Sequence, residues 1–228
     1  MSDADLAPHS ITVDRYLEAI YYIAAEGEVV RPGQLSAWLA VSAPTVSEAL
    51  RRLARDGWID VAPDRSVALT AAGERVAASI VRRHRVLERW LVDVLGFDWA
   101  AADTEAERIA TTVSDEVINR IDVSMGTPTT CPHGNAIPGR TPAYGPLVPI
   151  GDLTPGVRAR VRRISEMGEH EGEHLLQLLA GYGIGEDCAV VVTGRDASGT
   201  TLHADGGDVH LPTMASRTVW VEPESVPA

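Results

Sequence analysis

Apolar residues recur at helical spacing from the start of the chain. Between residues 14 and 25, Tyr16, Leu17, Ile20, Tyr21 and Ile23 fall on one face. After Pro32, the set Leu35, Trp38 and Leu39 predicts a short second helix. A third is expected from Ser42, whose hydroxyl can cap it, with Pro44 in its first turn and Val46, Leu50 and Leu53 as its buried stripe. Gly57 closes it. Residues 58–61 and 67–70 then read as two short strands around the turn 63–66. Three helices followed by a hairpin predict a winged helix-turn-helix.

The pattern next predicts a long helix from Ala71 to Leu95, with Val76, Ile80, Leu87 and Leu91 inward and Gly96 as its stop. A single further helix is expected from Trp99 to Ile121, on the apolar positions Ile109, Val113, Val117 and Ile121. Residues 125–156 are rich in Pro and Gly and lack periodicity, which predicts a linker long enough to be functional. Beyond it, 157–164 reads as a strand, 172–180 as a helix, and 189–193, 200–204, 208–211 and 218–221 as short strands. Their number and size suggest a small β-barrel of the SH3-like kind. The expected fold class is α+β, in three parts: 1–75, 76–147 and 148–228.

Composition narrows the setting. The formal net charge of −12 speaks against nucleic-acid binding when taken alone. The distribution changes that: nine arginines face five acids between Arg51 and Arg89, so this stretch is basic within an acidic chain. Two distant cysteines, Cys131 and Cys188, do not suggest a disulfide framework, and Cys131 reads as a free thiol or a ligand. The N-terminal sequence has no secretory pattern and no apolar run matches a bilayer. A cytoplasmic protein without membrane contact is expected.

Residues 42–59 read SAPTVSEALRRLARDGWI. Ser42, Thr45 and Ser47 place short hydroxyls on the exposed start of the third helix, where they can reach phosphates and base edges in a major groove. Arg51, Arg52 and Arg55 would follow the backbone, and Arg65 sits on the wing tip. A winged helix used only for protein contacts is the plainer alternative, but hydroxyls and arginines gathered together favour DNA.

A second pattern concerns metal. His84 and Glu88 lie four apart on the long helix and share a face, as do Asp103 and Glu107 on the next. Glu171 and His174 are three apart near the last helix, after Glu169 and His170, and Cys131-Pro-His133 lies in the linker. Imidazole and carboxylate converging from separate segments suit a borderline divalent ion. Any one pair alone is explained as well by a solvated face or an ion pair, and the Cys-x-His by an ordinary turn. Several such pairs in one acidic chain shift the balance toward a site. There is no nucleophile–base arrangement and no glycine-rich phosphate loop, so an enzyme with a small organic substrate is not expected.

Taken together, 42–59, RRHRVLERWLVDVLGFDW (82–99), PTTCPHGNAIPG (128–139) and EHEGEHLLQLLAGYGI (169–184) resemble the diphtheria-toxin-repressor family, which includes iron-dependent and manganese-dependent regulators. The resemblance covers nearly the whole chain. It implies a metal-activated repressor with a winged-helix domain, a helical dimerisation and metal domain, and an SH3-like domain, binding palindromic operator DNA as a homodimer when Mn²⁺ or Fe²⁺ is replete; Co²⁺ or Zn²⁺ would also suit such ligands. On the family's ancillary site, His84, Glu88, Glu171 and His174 match ligand positions, Asp103 stands where many members have His, and Cys131 and His133 match a Cys-x-His of some manganese-type members. Ser42, Pro44, Thr45, Ser47, Glu48, Arg51, Arg52 and Arg65 fall on the DNA-reading surface. Glu48 stands where iron-type members carry Gln.

The family's primary site falls on Arg15, Glu107, Ala110 and Thr111. Only Glu107 could ligate, and a guanidinium at 15 would repel a cation there. The resemblance therefore suggests an Arg15–Glu107 ion pair as a surrogate for that metal, with Arg15 pointing to solvent as the alternative. It also suggests a two-fold interface from the helix 99–121 with Trp90 and Phe97, setting recognition helices roughly 34–36 Å apart. Two other readings stand beside the metal-responsive one: a member that binds DNA without metal, and a protein-interaction module acting through its C-terminal domain.

Overall fold

The computed structural model describes residues 11–166 and 173–224. The chain divides into two compact units, Met1–His84 and Arg85–Ala228, and the division falls inside one continuous helix.

The first unit holds α1 (Ile11–Ala25), α2 (Pro32–Trp38), α3 (Ala43–Arg55), β1 (Ile59–Val61), β2 (Val67–Leu69) and the first half of α4 (Ala71–Asp93). Ser42 caps α3 by accepting from the Thr45 N–H at 3.4 Å. Between α2 and α3 the backbone turns through Ala40 at φ 52°. The hairpin pairs Ile59 with Leu69 and Val61 with Val67. The stripes foreseen from periodicity meet in one core: Leu17, Ile20 and Ile23 from α1, Leu35 from α2, Val46, Leu50 and Leu53 from α3, and Ile59 and Val67 from the hairpin. Each fully buried side chain of this size contributes about 1.5–3 kcal/mol. Gly73 lets α4 leave close to the hairpin, because a Cβ there would stand 2.0 Å from the Trp58 carbonyl oxygen. The expected winged helix-turn-helix is present.

The second unit begins with the rest of α4. The single helix expected over 99–121 is two, α5 (Trp99–Ala110) and α6 (Asp115–Ser124). Hydroxyls cause the break. Thr112 turns its Oγ1 back to the Ile109 carbonyl at 2.9 Å, and Ser114 caps α6 by accepting from the Val117 N–H, with Asp115 and Glu116 in the first turn. Ala102, Ala106 and Ala110 form a buried small-residue stripe on α5, packed with Val86, Leu87 and Leu91 of α4.

The C-terminal part corrects the expected barrel. β3 (Val148–Pro149), β4 (Arg158–Ile164), β5 (Ala189–Arg195), β6 (Gly199–Ala204), β7 (Gly207–Pro212) and β8 (Val219–Pro223) form one sheet in the order β3-β8-β4-β5-β6-β7. It does not close: β3 and β7 are its two edges. Two features keep them apart. β3 is two residues long and ends in a proline, which has no N–H for a ladder. A short helix after β7, at Thr213–Thr218, packs against both β7 and β3 and so occupies the gap. The sequence pattern predicts loop and strand there, and the structure has a helix. The remaining helix, α7 (Glu173–Gly181), lays Leu175, Leu176 and Leu179 against Val161, Val190, Leu202 and Val221 of the sheet; the Thr213–Thr218 helix is α8. Among the described residues no helix is long and apolar enough to cross a membrane.

Candidate metal centre and nucleic-acid face

The stretch that the sequence predicts as a linker is, over 128–137, a buried and hydrogen-bonded loop. Thr130, Cys131, His133, Asn135 and Ile137 are all buried. A bridge between Thr130 and Ala136 closes it, with the Cys131 N–H on the Asn135 carbonyl at 2.9 Å and the Gly134 N–H on the Cys131 carbonyl at 3.0 Å. Gly134 has φ 79°, and a Cβ there would lie 1.8 Å from the Arg162 carbonyl oxygen, so only glycine fits. The sheet holds one side: the Ile164 N–H donates to the His133 carbonyl at 2.8 Å, and Asn135 donates to the Ile164 carbonyl at 2.8 Å while accepting from Arg163 at 2.6 Å.

Helix α4 holds the other side through two arginines. Arg85 donates to the Ala136 carbonyl and pairs with Glu166, both side chains less than a tenth exposed. Arg89 donates to the Thr130 carbonyl at 3.1 Å and to Glu186 at 2.8 Å. Both belong to the basic stretch between Arg51 and Arg89. They do not add to a DNA-facing surface but clamp the loop against the helix that bears Glu88. Nothing in their own spacing reveals this, because the loop and sheet-side partners that turn them inward lie 41–97 positions away.

So held, the loop brings Cys131 and His133 to Glu88. All three are buried, and one donor atom from each lies within 4.8 Å of the others. His133 Nδ1 stands 2.5 Å from Glu88 Oε1, and the imidazole stacks on Trp99 with ring centres 5.2 Å apart. Burial opposes charge on that ring, yet the Glu88 carboxylate, by charge and by hydrogen bond, and then Asp103 and Glu166, outweigh it and hold the imidazole above the usual histidine range. A second group of the same tightness joins Glu88 to Asp103 of α5 and to His84, one turn earlier on α4. Carboxylate, imidazole and thiol in one enclosed place fit a borderline divalent cation, which would neutralise carboxylates otherwise costly to bury.

The other expected ligands stand differently. Glu171 lies outside the described residues, as does the side chain of His174. Glu107 is exposed on α5 and belongs to neither group. Arg15 is exposed on α1, where it lines a cleft of about 560 Å³ with Tyr16, Thr45, Glu48, Arg51 and Arg52. The two residues of the expected Arg15–Glu107 pair thus belong to different units. Trp99, Arg85, Arg89 and Glu166 were not anticipated as parts of the site.

On α3, Ser42, Pro44, Thr45, Glu48, Arg51 and Arg52 are exposed and Ser47 half-buried. Two hydroxyls are partly engaged: Ser42 Oγ lies 2.8 Å from Thr45 Oγ1, and Ser47 donates to the Ala43 carbonyl at 3.0 Å. Arg65 stands exposed on the wing at φ 67°, in a turn held by Asp64 accepting from the Ser66 N–H and hydroxyl at 3.1 and 2.7 Å.

Residues 10–67 match the family model described as the N-terminal DNA binding domain of iron dependent repressors, and residues 70–139 match the one for their metal binding and dimerisation domain. Among curated proteins, the iron-dependent repressor IdeR of Mycobacterium tuberculosis is 34% identical, covering 92% of this chain and 96% of that protein. The diphtheria toxin repressor of Corynebacterium diphtheriae is 33% identical over the same shares. Among solved structures, a manganese-dependent transcriptional repressor in complex with manganese superposes with a TM-score of 0.79 at 33% identity, covering 93% of this chain and all of that one.

Proposed function

Because the chain belongs to the iron-dependent repressor family, we propose that it is a transcriptional repressor, not an enzyme, whose binding to operator DNA depends on a divalent transition metal, Mn²⁺ or Fe²⁺. The observation that carries this is the buried meeting of Glu88, Cys131 and His133, extended through Glu88 to His84 and Asp103. The bound ion would supply positive charge and fixed coordination. The residues do the rest. Glu88 anchors the site on α4, while Arg85 and Arg89 present Cys131 and His133 to it from the loop. Trp99 covers the His133 ring and helps keep water from it.

The reading assigns 1–75 to DNA, 76–147 to dimer and metal, and 148–228 to the C-terminal sheet. Ser42, Pro44, Thr45, Ser47, Glu48, Arg51, Arg52 and Arg65 face the operator. Arg15, sharing their cleft, adds a cation to that face. A homodimer fits the apolar side chains left exposed in the second unit, Val94, Leu95, Phe97 and Val117, which a partner copy would cover. With no membrane-spanning helix among the described residues and DNA as partner, the protein is assigned to the cytoplasm.

The test is operator binding by the full chain, selected from a random DNA pool, with Mn²⁺ or Fe²⁺ and with chelator. Binding should require metal. Equal binding in both conditions would make the protein a metal-independent member, and failure to select any DNA would overturn the reading.

A further inference from the structure

Tyr16 leaves a hydrogen-bond donor unused inside the first unit. Its side chain belongs to the core of that unit and is only 4% exposed. Its hydroxyl is buried and has no hydrogen-bond partner among the described residues. A phenylalanine would fill the same space without the cost of an unsatisfied polar group, so the hydroxyl points to an occupant that satisfies it.

Tyr16 lines the cleft of about 560 Å³ already described. Four arginines line it too, Arg15, Arg51, Arg52 and Arg55, against one carboxylate, Glu48. Two of them are engaged: Arg51 Nε donates to the Ser47 carbonyl at 3.3 Å, and Arg55 Nε to Asp56 at 2.9 Å. Arg15 and Arg52 form no ion pair among the described residues, and theirs are the charges that bear on the Tyr16 hydroxyl. Burial pushes that phenol up by more than the two guanidiniums lower it, so it keeps its proton and can donate. Leu39, Val41 and Ala49 give the same cleft an apolar wall.

We propose that this cleft binds a small organic phosphate that competes with operator DNA. Its phosphate lies between Arg15 and Arg52 and accepts from Tyr16, and its apolar or aromatic body covers Leu39, Val41 and Ala49. Guanidinium forks match phosphate oxygens in pairs. The volume suits a whole small molecule. A duplex backbone offers the arginines a phosphate but nothing apolar for the wall. Competition follows from shared residues, because Thr45, Glu48, Arg51 and Arg52 belong both to the cleft and to the DNA-reading set. No lining residue belongs to either metal-ligand group, so this input stands beside metal rather than acting through it.

The probe is naphthyl phosphate, with inorganic phosphate and naphthol as its two halves. Full-length, metal-loaded protein, dialysed free of excess ion, is titrated into the probe and followed by fluorescence anisotropy. The expected result is saturable binding, with each half at least about tenfold weaker as a competitor. Tyr16→Phe should weaken the probe by about tenfold, leave naphthol unaffected and cost no thermal stability, since the hydroxyl it removes has no partner. Arg15→Gln alters an exposed residue and should weaken the probe as well, which decides the matter if Tyr16→Phe folds poorly. The probe should also release selected operator DNA from the unaltered protein, and less so from Tyr16→Phe. Inorganic phosphate binding as tightly as the probe would make the cleft a seat for bare phosphates such as those of the DNA backbone, and would overturn the proposal. Absence of saturable binding would overturn it too, as would probe affinity unchanged in both variants, which places the probe elsewhere. Probe bound in the cleft with operator still held would overturn the competition.

Discussion

His133 Nδ1 and Glu88 Oε1 meet at 2.5 Å inside the second unit, with neither side chain reaching solvent. Without metal, a proton shared between them takes the place of a cation. Burial works against the charged ring, but Glu88 outweighs it and the imidazole titrates above its usual range. The folded state therefore binds this proton more tightly than the unfolded chain, whose histidines titrate near about 6.5. With chelator present, the pair stabilises fully below that pH, and its contribution is lost as pH climbs through the raised value. Metal needs the neutral ring, so Mn²⁺ affinity should move the opposite way and rise over the same window. Melting temperature and Mn²⁺ affinity measured against pH should show opposite slopes, both flattened in Glu88→Gln. A chelated protein whose melting temperature ignores pH there would show that the proton is not held as described.

Gly134→Ala should harm metal binding from a position that carries no ligand. The added Cβ meets the Arg162 carbonyl and demands a positive φ of an alanine. Such strain costs about 1–3 kcal/mol, and relief requires the Cys131–His133 turn to lift from β4. Calorimetry with Mn²⁺ should show affinity falling by at least about tenfold, about 1.4 kcal/mol, while the circular dichroism of the full chain keeps its helical content. Wild-type affinity in this variant would mean that the turn does not position His133.

Replacing one member of the Arg85–Glu166 pair should cost more than replacing both. Arg85→Met leaves a carboxylate buried without its cation, a loss of about 3–5 kcal/mol by general experience with such pairs. The double variant Arg85→Met/Glu166→Leu should recover most of it in urea unfolding. Equal destabilisation of single and double variants would show that the Arg85 bond to the Ala136 carbonyl, not the ion pair, is what matters.

Glu48 is exposed on α3 and lines the same cleft as Arg15 and Arg52. A carboxylate can accept from a cytosine amino group but cannot donate to a purine. Glu48→Gln should change the preferred base at one position in each half-site of the selected operator, by about 1–3 kcal/mol of discrimination. Identical selected sequences for both proteins would make Glu48 a bystander.

Local pattern carried much of this architecture, and long-range return carried the remainder. The stripes through Leu17, Leu35, Val46 and Leu53 were legible because helix period and burial agree there. Ser114 was not, because apolar residues at 109, 113, 117 and 121 continue the helical period straight through its cap. His84 and Glu88 declared a shared face by spacing alone. Arg85 and Arg89 did not declare theirs, since what turns them inward is a loop more than forty positions on. Barrel closure was beyond reading for a similar reason: it depends on whether β3 and β7 meet, and the obstacle is six residues after Pro212 with little helical pattern of their own.

That open sheet has a cost that a barrel escapes. A closed barrel has no edges, whereas this sheet has two rows of backbone donors and acceptors able to recruit a stranger's strand. The chain blunts both. One border is only Val148–Pro149, too brief and too proline-bound to template a ladder. The other alternates Asp208 and His210 outward between buried Val209 and Leu211, then stops at Pro212. Solubility at high concentration is thereby assigned to a few residues outside both the ligand set and the DNA-reading set, where an apolar substitution would silence no ligand and still invite fibres.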